Sequence, residues 1–284
     1  MAVMRSRLRA HAVEWHVAPA AHIDSAHRAG FLDLQRRCNS ELCRHHALIH
    51  NAWLDRLESS DLPPAIGGLL QSLQQLAVFL RRLALAREQH AASLSRTGCL
   101  DTDCGTAVVI CFDENGVPWC PPLPGMGTGD PHVMSERLLA WWAAWKRSSP
   151  EGLKDWSLDQ AHDVTRQLCG VVERDYNAAD LSTSLGAMMA LENAISTDFW
   201  QRLGRGLRRC CEALDLKFAD AGFFPVAETH ARLQARHVLY LVEGASVHDL
   251  LDEASFFKAG LDALGYLDHF WESLSGMLQP AVAH

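Results

Sequence analysis

Several things are scarce in this chain, and each scarcity excludes a class of protein. No C-x-x-C pair occurs among the nine cysteines, and their odd number and irregular spacing make a poor disulfide framework and a poor zinc ribbon. No apolar run approaches the ~20 residues that a membrane-spanning helix needs. Positive charge is in deficit, 26 Lys and Arg against 34 Asp and Glu for a net charge of −8, which argues against the basic patch of a nucleic-acid surface. The basic opening MAVMRSRLRAHAVEWHV lacks the long apolar stretch of a secretory signal, so a cytoplasmic location is the expectation. No repeat period and no linker divides the chain. The predicted organisation is an Ala- and His-rich arm over residues 1–27 followed by one domain over 28–284.

What is present is helix-forming sequence. With 48% hydrophobic residues in 284, a substantial core can form. Phe31, Leu32, Leu34, Leu42, Leu48, Ile49 and Trp53 recur at helical spacing between Arg28 and Leu57. Asp61-Leu62-Pro63-Pro64 marks a break, after which LLQSLQQLAVFLRRLALA carries a long amphipathic helix over Ile66–Leu94. The stretch from Thr97 to Pro131 differs. TAVVICF reads as a short strand or a buried helix turn, and NGVPWCPPLPGMGTGDP is too rich in Gly and Pro to be regular. Helix resumes near His132 with LLAWWAAW. Further helices are predicted over Trp156–Tyr176, over Leu181–Leu214 with Ser182 or Thr183 as N-cap, over Glu228–Glu243 and over Val247–Leu278. The sum is an all-α bundle of about seven or eight helices.

The chemistry concentrates in two places. In ETHARLQARH, His230, Gln234 and His237 fall on one helical face, the two histidines about 10 Å apart along the axis. That spacing suits two neighbouring metal ions, or one ion on a distorted helix. Glu192 stands in GAMMALENA, among small and apolar residues. Such a carboxylate lies either at the edge of the apolar stripe or inside the core with a partner, because an uncompensated buried charge costs several kcal/mol.

LGAMMALENA, the Phe223-Phe224 pair, H-x3-Q-x2-H and the tail FKAGLDALGYLDHFWESL together resemble the haem-oxygenase-like non-haem iron oxidases and oxygenases. C-F-D-E-N-G and G-T-G-D-P-H resemble that family's earlier Glu and the His that opens its next helix. The resemblance spans residues 45 to 280. It implies a haem-oxygenase-like bundle and a metal set of Glu114, His132, Glu192, His230 and His237, with Gln234 where the family has an Asp. It also implies one or two iron ions and O2 as co-substrate, acting on a small metabolite such as an amino acid or fatty acid derivative. The chain departs from the family pattern in the inserted WCPPLPGMG, in Ser135 where the family's His usually lies, and in the neutral amide of Gln234. Loss of an anionic oxygen weakens a site for hard iron.

Three function classes follow. The first is an iron-dependent oxygenase or oxidase. The second is a catalytically impaired relative that binds a metabolite or a partner. The third is a metal-free enzyme resembling the thiaminase-like or cofactorless quinone-forming members; the thiaminase type relies on an active-site cysteine, and Cys169, Cys210 and Cys211 show no matching motif. Other polar residues have plainer readings. Cys38-x4-Cys43 with His45, His46 and His50 could hold zinc, but reduced thiols beside a helix face are the commoner outcome. Trp141, Trp142 and Trp145 read as core or pocket wall, and Arg205, Arg208 and Arg209 as a solvated face unless turned inward. His248 and His269 read as structural, and Asp198 lies off the face of Glu192. The expected partner is a small molecule, with neither nucleic acid nor membrane, and an exposed apolar face would support a homodimer.

Overall fold

The computed structural model describes residues 25–43, 49–59, 66–96, 111–112, 118–119, 161–195, 198–213, 223–247 and 249–278. Among them the α-helices are α1 Ser25–Arg37, α2 Ile49–Glu58, α3 Ile66–Arg96, α4 Asp163–Asp175, α5 Leu181–Asn193, α6 Phe199–Ala213, α7 Phe223–Val247 and α8 Glu253–Met277. A six-residue π-helix, Cys38–Cys43, extends α1. Two short strands, β1 Cys111–Phe112 and β2 Pro118–Trp119, pair antiparallel with Cys111 opposite Trp119, so this part of TAVVICF is strand rather than helix. The fold is all-α, and no helix among the described residues is long and apolar enough to cross a membrane.

The bundle is built around α8. Asp252 caps it by accepting hydrogen bonds from the N–H groups of Ala254 and Ser255, each at 3.3 Å, while its own N–H reaches Ser182 Oγ at 2.8 Å. Phe256, Gly260, Ala263, Leu267, Phe270 and Leu274 are buried at alternating steps of four and three residues, which is the apolar seam of a helix packed lengthwise. Helix α5 lies against that seam, and α2, α3 and α4 also contact α8. A helix apolar on every side must be central, and α5 is buried from Ser182 almost without interruption to Asn193. Gly186 and Gly260 permit its close approach. A Cβ on Gly186 would lie 2.0 Å from the Phe256 carbonyl oxygen, and one on Gly260 would lie 2.9 Å from the Leu42 side chain.

Aromatic rings fill the space around α8. Trp271 meets Phe270 at 5.0 Å, Phe199 at 5.6 Å and Trp53 at 5.8 Å between centroids, and Phe270 meets Phe79 at 5.3 Å. These are ordinary separations for tilted ring pairs, and they join α2, α3, α6 and α8 in one core. Arg202 adds a polar tie from α6 to α2, donating to Asp55 at 2.5 Å and to Glu58 at 2.8 Å.

The structure moves several element boundaries. Within the helical run expected from Arg28 to Leu57, the described residues are α-helix to Arg37, π-helix over Cys38–Cys43 and α-helix over Ile49–Glu58. Its first turn begins at Ser25, inside the stretch read as an arm. The run expected from Leu181 to Leu214 is two helices, not one. Its N-cap is Asp180, whose side chain accepts from the Thr183 N–H at 2.8 Å, rather than Ser182 or Thr183. The break comes before Asp198, which sits at φ 46°, a left-handed conformation that no helix interior contains. Helix α7 is longer than Glu228–Glu243 at both ends, and α8 starts at Glu253 rather than Val247.

Candidate functional site

Glu192 is in the interior, with 0% of its surface exposed. It lies in the last turn of α5, where α3 and the end of α4 supply its partners. Arg87 of α3 donates from Nε to Glu192 Oε1 at 2.8 Å and from Nη2 to Oε2 at 2.5 Å. The hydroxyl of Tyr176, just past α4, donates to Oε1 at 2.7 Å. The guanidinium therefore meets the carboxylate as a two-pronged fork, the strongest of the ordinary ion-pair geometries, and the phenol takes a further lone pair.

The surroundings tighten this arrangement. Burial works against the Arg87 charge, but the charge and hydrogen bond of Glu192 outweigh it, so the Arg87 pKa lies above its ordinary value. Burial, reinforced by the Glu192 charge, pushes the Tyr176 phenol well up. The phenol thus stays protonated and serves as a donor. His90, one turn beyond Arg87, stands edge-on to Tyr176 at 6.3 Å, and burial lowers its pKa. Asn177 joins α3 through a 2.9 Å bond from Nδ2 to the Ala86 carbonyl, and Ser184 Oγ holds the Tyr176 carbonyl at 2.7 Å.

This geometry does not fit Glu192 as an iron ligand. Both of its oxygens are engaged, and the nearest charge is a fixed guanidinium. A cation near the carboxylate would meet that guanidinium at close range, where two unit charges at 4 Å and an effective dielectric near 20 repel by about 4 kcal/mol. Among the described residues, no group of three or more His, Cys, Asp and Glu side chains is placed to hold a metal ion.

The remaining candidates divide between described and undescribed positions. His230, Gln234 and His237 lie in α7, which packs against α5. Gln234 is buried, while the side chains of His230 and His237 fall outside the described residues. Glu114, His132 and Ser135 also lie outside them, as do the Pro-rich insertion beyond Trp119, Trp141, Trp142, Trp145, His45, His46 and His248. Glu228, the first residue of the ETHARLQARH run, has a structural task. It is buried, and its Oε1 accepts the Asp198 N–H at 3.2 Å, fixing the turn that starts α6.

The cysteines whose side chains are described, Cys38, Cys169, Cys210 and Cys211, are poorly suited to nucleophilic chemistry. Burial raises Cys169 to about 12, Cys211 to about 11 and Cys210 above its ordinary value, and only a thiolate attacks. Cys38 is fully buried in the π-helix. Arg205 and Arg209 turn toward α2, not into the core. Arg205 pairs with Glu58 Oε1 at 2.9 Å, and Arg209 donates to the Glu58 carbonyl. With Arg208, Gly204 and Phe224 they edge an open groove of about 380 Å³. His269 is exposed beside Glu272.

Reading the sequence missed Arg87 and Tyr176, yet a signal existed for the arginine. Leu73, Leu76, Leu80 and Leu83 are buried at steps of three and four, and the next position on that stripe is Arg87. A charge on an inward stripe demands a counter-charge. No protein-family model, no curated protein and no solved structure matches this chain.

Proposed function

We propose that this chain is a haem-oxygenase-like bundle that works by binding a small metabolite or a partner, without an iron centre at Glu192. The observation that carries the reading is the Arg87 fork on the Glu192 carboxylate. The resemblance implied two carboxylates, Glu114 and Glu192, among five ligands. With Glu192 neutralised by an arginine and Gln234 uncharged, Glu114 alone would supply negative charge. That is too little for two iron ions, which favour anionic oxygen, and a single ion would have to be held by Glu114 and histidines without Glu192. The thiaminase-like alternative loses support as well, because burial keeps Cys169, Cys210 and Cys211 protonated at neutral pH.

The test is anaerobic reconstitution with Fe(II), removal of loose metal, and measurement of iron per chain, followed by exposure to O2. Substoichiometric iron and no transient visible band are expected. Stoichiometric iron, or a band that forms and decays with O2, would return the chain to the oxygenase class.

A further inference from the structure

The Glu192 carboxylate and the Tyr176 phenol form a cation slot whose tenant is part of the chain itself. We propose that this slot is built for guanidinium specifically, so that once vacated by Arg87 it takes a free guanidinium ion in preference to an ammonium or a divalent metal. The inference stands on these contacts alone and does not depend on what the bundle binds in the cell.

Shape is the first argument. Arg87 presents Nε and Nη2 side by side to Oε1 and Oε2, at 2.8 and 2.5 Å. A planar fork meets both oxygens at once, while an ammonium is a point donor that cannot reproduce two parallel bonds. The ligand inventory of the slot also disfavours a metal ion. Tyr176 is a protonated phenol donating to Oε1, so it offers a metal ion no anionic oxygen. The described residues place no trio of His, Cys, Asp or Glu side chains for a metal. Burial is the third argument. Glu192 is fully enclosed and Arg87 nearly so, and guanidinium is more weakly hydrated than ammonium, so it loses less on entering.

The experiment uses Arg87→Ala, which removes the guanidinium and leaves space for one. The variant is refolded from urea with and without millimolar methylguanidinium, and its thermal midpoint is read at fixed ionic strength. Parallel samples contain methylammonium or Mn(II). Methylguanidinium should raise the midpoint of Arg87→Ala by several degrees. It should leave the wild type and the Arg87→Ala/Glu192→Gln double variant unmoved. An equal response to methylammonium or Mn(II), the same rise in the double variant, or no rise at all would overturn the proposal. Failure to recover folded Arg87→Ala even with methylguanidinium present would also count against it.

Discussion

A carboxylate with none of its surface exposed, as at Glu192, needs close donors to offset its lost hydration. Arg87 and Tyr176 do so together, and their removal should be felt unequally. Arg87→Met leaves Glu192 as an uncompensated charge and should cost about 3–5 kcal/mol in urea unfolding. Adding Glu192→Leu to Arg87→Met should recover most of that loss, because a well-packed apolar pair can replace a buried ion pair at little cost. Tyr176→Phe removes one hydrogen bond to a charged acceptor and should cost about 1.5–3 kcal/mol. Glu243 supplies a pH signature elsewhere on α7. Burial raises its carboxyl from 4.5 to about 7, so the folded chain binds that proton more tightly than the unfolded chain. Its contribution is fully present below the unfolded value and is lost as pH rises through the folded one. Stability should therefore decline across that window, and Glu243→Gln should flatten the decline in urea midpoints measured on either side of it.

Between elements, the crossing of α5 and α8 is among the least forgiving contacts. Gly186→Ala drives a methyl group into the Phe256 backbone carbonyl and should destabilise by about 3 kcal/mol or more, since overpacking against backbone is not relieved by a rotamer change. Gly170 in α4 is the control. A Cβ there meets nothing within 4 Å, so Gly170→Ala should stabilise by about 0.5–1 kcal/mol through helix propensity. Thermal melts of the two variants should move in opposite directions. The α8 seam and the long α3 were legible in the sequence because apolar periodicity is strong there. The break between α5 and α6 was not, because a left-handed Asp198 secured by Glu228 from α7 is a tertiary device. Periodicity sees only one helix at a time. The same limit applies to Glu192. GAMMALENA left it either at the edge of the apolar stripe or buried with a partner, and its partners lie on α3 and after α4, far away in sequence.

At the scale of the molecule, α8 gathers the described helices into one core, and the end of α5 brings a negative charge into it. The all-α architecture was readable because composition and period both point to helix. Whether that negative charge serves a metal or an arginine was not readable, since the two options place the same Glu in the same apolar segment. The central claim is that Glu192 already has its cation. The most direct test is the thermal unfolding of the wild-type chain under anaerobic conditions, in excess chelator and in saturating Fe(II). A ligand that binds only the folded state raises its midpoint. The account predicts superimposable curves. A midpoint several degrees higher in Fe(II), with the increment abolished by Glu192→Gln, would contradict it.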